Sequence, residues 1–469
     1  MGHLNSSNIR HPDWENALFS YQNVIFSGTE SMKVKLTLKL AHLSKNAPDH
    51  VLIQTIPIPA KLLVNTSDSL DNSIQEAAAY CLKCIACQKD GVFASVIGQS
   101  GVVESVLALL PQSSNSFRRI LIKFLQCLVN FNDVNRLIVV RNGGLEIIVS
   151  LLNSCSSSDA NKVYLLEILS ALALLREVRK VIIRLGGLKF LVEAIKCGSM
   201  VSRERACQAV GLLGVSGRAR SLIVALGAIP LLVELLRERD GKTKLVAGNS
   251  LGVISAHVDF IRPVAEAGAI PLYAELLQGP DPIGKEIAED AFCILAVAEV
   301  NAVAIAEHLV RILREGDDES KIAAADVFWD LAGYKHSVSV VRNSGAIPVL
   351  VELLRDGNDE AREKVSGAVA QLSYNEADRA VLADAGAIPI LIELLVDELE
   401  EVKENAAEAL VNFAEDPGQR AVISEAVGVP SFDSMQNRMI QLRVSDEHMV
   451  RSLRRMSVGQ LTWDSNFAL

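Results

Sequence analysis

The chain has 469 residues and a net charge of −10; half of its residues are hydrophobic but only 5% are aromatic. That composition suits a core of aliphatic helix contacts better than a β-sandwich, and the acidic balance argues against nucleic acid as a partner. The charge is unevenly spread, with 25 acidic and 11 basic side chains in residues 301–430 but 16 basic and 7 acidic in residues 111–220. A chain polarised in this way can recruit partners of opposite sign at its two ends.

From the N-terminus, Gly2 with Ser6 meets the minimal myristoylation pattern, although His3 is unfavourable there and no neighbouring Cys offers a second lipid. A single acyl chain would hold a membrane only marginally. No apolar run approaches the roughly 18 residues of a membrane helix. Eight cysteines without a secretory segment predict reduced thiols and a cytoplasmic and/or nuclear location. Residues 1–15 read as a flexible segment and 16–53 as a degenerate capping repeat, in which Lys39-Leu40-Ala41-His42-Leu43 has the pattern of a repeat's last helix. Residues 54–430 read as a repeat array, opened by Thr55-Ile56-Pro57-Ile58.

Cys81, Cys84 and Cys87 have cluster-like spacing, but Gly91 stands where an iron–sulfur site needs its fourth Cys. The same residues lie on a helix signal beginning at Ala77-Ala78-Ala79, which predicts apolar thiols that do not converge. Then comes the dominant feature. Gly-Ala-Ile-Pro stands at Gly227, Gly268, Gly345 and Gly386, with looser copies at Gly101, Gly143, Gly186 and Val427. Successive steps are 42, 43, 41, 41, 77, 41 and 41 residues, Ala304 falling in the missing slot. A period near 41 means stacked helical units, because one unit cannot bury its apolar face alone.

Within one such unit, residues 219–256, Gly227 ends a short helix in the left-handed conformation, and Pro230 suits the first turn of the next. Leu231, Leu232, Leu235 and Leu236 give that second helix its apolar stripe. A longer third helix turns Leu245, Leu251 and Ile254 inward, with Ala247, Gly248 and Gly252 allowing close approach. Gly241-Lys242-Thr243 is no phosphate loop, since Leu236 replaces the required upstream Gly. Gly214-Val215-Ser216-Gly217 fails as a nucleophile elbow because Arg218 replaces the closing Gly. The histidines are scattered singly. These patterns predict a non-enzyme with no cofactor, no metal and no small-molecule substrate.

At the C-terminal end, residues 431–469 read as a cap helix and tail. Ser445 caps a helix whose Arg451, Arg454 and Arg455 suit its negative end. Arg454-Arg455-Met456-Ser457 forms a basophilic kinase motif, and phosphate on Ser457 would neutralise that arginine cluster.

The Gly-Ala-Ile-Pro junctions, each followed by paired apolar residues, resemble the armadillo repeat over roughly residues 16–430. The resemblance implies an all-α, right-handed superhelix (α-solenoid) of roughly nine to ten repeats. It also implies a concave groove lined by third helices. In importin-α-like members an Asn ladder on these helices holds an extended peptide, and a Trp one turn earlier stacks on its basic side chains. The matching positions here are Ala171, Leu212, Val253, Ile294, Asp330, Gln371 and Asn412, and the first three read as core between repeats. One turn earlier stand Asp326, Gly367 and Glu408, with Trp329 one residue out of register.

The groove residues expected to bind a partner are therefore Asp326, Asp330, Gln371, Glu408 and Asn412. The resemblance to stand-alone armadillo proteins, and to the armadillo region of U-box ubiquitin ligases, implies a protein-interaction scaffold or adaptor. Its expected partners are other proteins, bound through a basic extended segment or an amphipathic helix. A transport receptor for basic cargo, a substrate-recruiting subunit in ubiquitination and a lipid-anchored tether are the other roles that the same features allow.

Overall fold

The computed structural model describes residues 14–64, 72–156, 159–333, 338–428 and 430–437. Among the described residues every regular element is a helix. The contacts fall into two units, Met1–Val210 and Gly211–Leu469.

In the C-terminal unit the three-helix repeat is plainest in Gly217–Ala225, Ala228–Leu236 and Gly241–Ser255. The chain bends by 85° between the first two. Gly227 makes that bend at φ 81°, and Gly268, Gly345 and Gly386 repeat it at 87°, 74° and 81°. A Cβ built at Gly227 would meet nothing within 4 Å. The demand for glycine is therefore conformational rather than steric. The second helix then buries Ile229, Leu232, Val233, Leu235 and Leu236, and the third buries Ala247, Leu251 and Ile254.

The following repeat is Val258–Glu266, Ala269–Leu277 and Pro282–Leu295. Its buried Tyr273 donates its hydroxyl to the Gly248 carbonyl of the preceding third helix at 2.7 Å. That bond satisfies the polar tip of a ring otherwise sunk in the core. A Cβ at Gly248 would come within 3.1 Å of Ile287, so here glycine does serve close approach.

The slot at Ala304 turns out differently. Glu299–Glu315 is one continuous helix where other repeats have two. Without a glycine to adopt positive φ, nothing ends the first helix, and the repeat shortens. Asp318–Ala332 follows as its third helix. The pattern then resumes with Val338–Asn343, Ala346–Asp356 and Asp359–Leu372, and with Glu376–Asp384, Ala387–Leu394 and Glu400–Phe413. After Pro417–Val427 the positive φ falls on Gly428 at 87°, one residue beyond the spacing at Val427. Residues 430–437 are helical and bury Phe432.

The N-terminal unit opens with Trp14–Ser27 and Glu30–Leu43. The second of these packs on Ser73–Ala86 as one third helix on the next, in keeping with the Lys39–Leu43 pattern. Asn115–Phe131 and Lys162–Leu172 continue that stack. The thiol expectation needs one correction. Cys87, at the end of Ser73–Ala86, forms a disulfide with Cys127 of Asn115–Phe131 across a Cα–Cα distance of 5.8 Å. Stacking brings together residues 40 apart in sequence, one repeat period, and so juxtaposes two cysteines that spacing alone left unrelated. Among the described residues no group of three or more His, Cys, Asp or Glu side chains could hold a metal ion. No single described helix is long and apolar enough to cross a membrane.

Several basic residues that sequence analysis assigned to a charged surface are spent on helix ends. Arg136 Nε donates to the Val129 carbonyl at 2.7 Å, and Arg203 Nε to that of Ile195 at 2.9 Å. Arg220 Nε reaches Gly214 at 2.8 Å and Arg379 Nη1 reaches Ser373 at 2.9 Å. Each cation lies against the unpaired carbonyls at the negative end of the preceding helix. Part of the basic excess in residues 111–220, at Arg136, Arg203 and Arg220, is thus capping chemistry. Gly2, Ser457 and the helix signal at Ser445 lie outside the described residues.

Candidate functional site

Third helices present one side to their own repeat and the other to the next third helix, which leaves a strip of half-exposed side chains along the stack. In the C-terminal unit that strip is acidic. On Pro282–Leu295 it carries Glu286, Glu289, Asp290 and Cys293; on Asp318–Ala332 it carries Asp326, Trp329 and Asp330. Burial, and then the charge of Asp326, raise the Glu289 carboxyl to about 7. Asp290 is also raised, by burial and then by Glu286 and Asp330. The Cys293 thiol donates to Asp330 Oδ2 at 3.1 Å. Burial and that carboxylate push the thiol well above its usual range. Two carboxyl-rich turns on adjacent third helices therefore share one potential, and they oppose one another's ionisation.

The main cation facing them is Lys364 of the Asp359–Leu372 helix. Its ammonium pairs with Asp326 at 3.1 Å and lies 5.7 Å from the centre of the Trp329 ring. Burial pulls the ammonium's pKa down, but Asp326, helped by Glu363 and Glu289, outweighs this and the net shift is upward. Gly367 makes room for the ring, since a Cβ there would lie 2.6 Å from Trp329 Cε2. Trp329 thus reaches across to the next repeat, which accounts for a position one residue out of register.

The expected groove residues do not share one fate. Asp330 is exposed, while Asp326, Gln371 and Glu408 are half-buried on the strip. Glu408 accepts a hydrogen bond from the Tyr374 hydroxyl. Asn412 is a correction. It is 1% exposed, and its amide donates to Ser373 Oγ at 2.8 Å, so it ties repeats together instead of offering an open ladder amide. Of the apolar ladder positions, Ala171 is fully buried, whereas Leu212, Val253 and Ile294 keep partial exposure. Glu289 and Asp290 were not among the expected groove residues, because on their helix only the ladder position itself, Ile294, was aligned. The missed signal was available: Asp290 lies one turn before Ile294, as Asp326 does before Asp330.

Residues 375–415 match the family model of the Armadillo/beta-catenin-like repeat. No curated protein matches the chain in sequence. An engineered protein solved as a structural-genomics target superposes with a TM-score of 0.62 at 24% identity, covering 85% of this chain and 99% of its own. A chain solved in work on a phosphorylation switch controlling the interaction between cadherin and beta-catenin gives 0.64 at 16% identity, covering 90% of this chain and 86% of its own. A designed armadillo repeat protein aligns over 48% of this chain and 99% of its own, at 23% identity and a TM-score of 0.39. One repeat thus matches the armadillo model, and the chain shares the all-α repeat fold of these solved proteins.

Proposed function

We propose that this protein is a non-catalytic interaction scaffold or adaptor, and that the third-helix strip of its C-terminal unit binds a basic, extended segment of a protein partner. The observation that carries the reading is the crowding of Glu289, Asp290, Asp326 and Asp330 on two adjacent third helices, strong enough to lift carboxyl pKa values. A surface that resists its own ionisation gains when a cation arrives, and it steers basic ligands toward itself. The fold is in keeping with protein binding, since one chain of similar fold comes from work on a cadherin interaction. The amphipathic-helix alternative draws less support, because the half-exposed strip is charged where such a helix would need an apolar groove.

The test is titration of a fluorescent lysine- and arginine-rich peptide against the wild type and an Asp290→Asn, Asp330→Asn double variant, at low and moderate salt. These two aspartates are exposed, so the variant should fold. The double variant should associate more slowly and show a flatter salt dependence. Equal affinities and equal salt slopes, with unfolding curves unchanged, would place binding elsewhere.

A further inference from the structure

We infer that Lys364 is a built-in competitor: it fills a cation niche formed by Trp329, Asp326 and Glu289, and a lysine-class side chain of the partner must displace it. This rests on the proposed binding of a basic segment. It stands on more than clustered acids, because a primary ammonium is already seated in the niche. Lys364 Nζ lies 3.1 Å from Asp326 Oδ1 and 5.7 Å from the indole centre. The niche is built across two repeats, since Gly367 is vacant of a side chain where Trp329 passes over it. Glu289 faces the same charges from the preceding third helix and senses both Asp326 and Lys364.

The occupant is held loosely enough to leave. Lys364 and Asp326 keep 29% and 35% of their side-chain exposure, and pairs so placed are weakly held and salt-sensitive. A partner's ammonium entering the niche would exchange one such pair for another, and the released Lys364 would move toward solvent on its flexible stem. The net affinity for basic segments is therefore set partly by what Lys364 gives up. The chain lowers its own affinity and requires several contacts at once.

The experiment titrates a fluorescein-labelled peptide of alternating lysine and serine against the wild type, Lys364→Met, Lys364→Met with Trp329→Leu, and Lys403→Met. Met keeps the aliphatic stem that packs in place. Lys403, which pairs with Glu400 at 2.6 Å, supplies an equal charge change away from the niche. Lys364→Met should bind roughly three- to tenfold tighter than the wild type, and more than Lys403→Met does. The gain should vanish when Trp329→Leu is added, with unfolding curves confirming that each variant folds. As a second readout, Trp329 emission should shift on peptide binding in a Trp14→Phe, Trp463→Phe background. If the peptide binds wild type and Lys364→Met alike, or if Lys403→Met gains as much, the competitor role is overturned while the acidic strip remains the binding surface. If it binds none of the proteins, both readings are overturned.

Discussion

Burial and the neighbouring Asp326 hold the Glu289 carboxyl at about 7, well above its ordinary value of 4.5. The folded chain therefore keeps this proton to higher pH than the unfolded chain does. Between those two values the folded state binds more protons, and stability falls as pH rises; the contribution is complete below 4.5 and lost above 7. Glu289→Gln should flatten that part of the pH–stability curve and leave the variant the more stable protein at pH 8, as urea unfolding at several pH values will read. Binding should move the other way, since the strip gains a charge as Glu289 ionises. The wild type should hold a basic peptide more tightly at pH 8 than at pH 6, and Glu289→Gln should show little change. A variant curve parallel to the wild type would mean that Glu289 is not the group titrating.

At the scale of the element, the junction between the first two helices of a repeat carries the most information per residue. Gly268 sits at φ 87° with its nearest non-local atom, Arg237 Nη2, 3.4 Å from a built Cβ. A β-branched side chain has room there but not the conformation. Gly268→Val should cost about 1–3 kcal/mol in thermal or urea unfolding. An unchanged midpoint would remove the junction role. The Glu299–Glu315 helix is the natural counterpart, because the element runs unbroken where the glycine is missing. The position of each bend was legible in sequence through Gly and Pro. The merging of two helices into one was not, because an absent signal shows only in its effect on the path of the chain.

At the scale of the whole molecule, a repeat array gains stability from each interface between neighbours, and the Cys87–Cys127 disulfide adds a covalent tie across one such interface. It closes a loop of 40 residues, for which lost chain entropy in the unfolded state gives a stabilisation on the order of 2–4 kcal/mol. Cys127→Ser, or reduction of the wild type, should lower the stability of the N-terminal unit by about that much. Hydrogen exchange should rise first in Ser73–Ala86 and Asn115–Phe131. Alkylation followed by mass spectrometry under non-reducing conditions checks the bond itself, and a fully alkylated pair would remove the tie.

Sequence by itself determined the repeat, its period near 41, the helical class and the place of most helix breaks. These follow from local physics: a glycine that tolerates positive φ, a proline that suits a first turn, and apolar stripes that demand a neighbouring unit. It also marked residues 301–430 as acidic and located Asp326, Asp330 and Trp329. Tertiary structure decided what those side chains do. Asn412 has the sequence position of an open ladder residue, yet packing on the preceding third helix buries it against Ser373. Cys87 meets Cys127, Trp329 crosses to Gly367, and Lys364 takes the ammonium place beside Asp326. Each of these depends on the exact offset between adjacent repeats, a sum of many small packing terms to which no single residue in the sequence points.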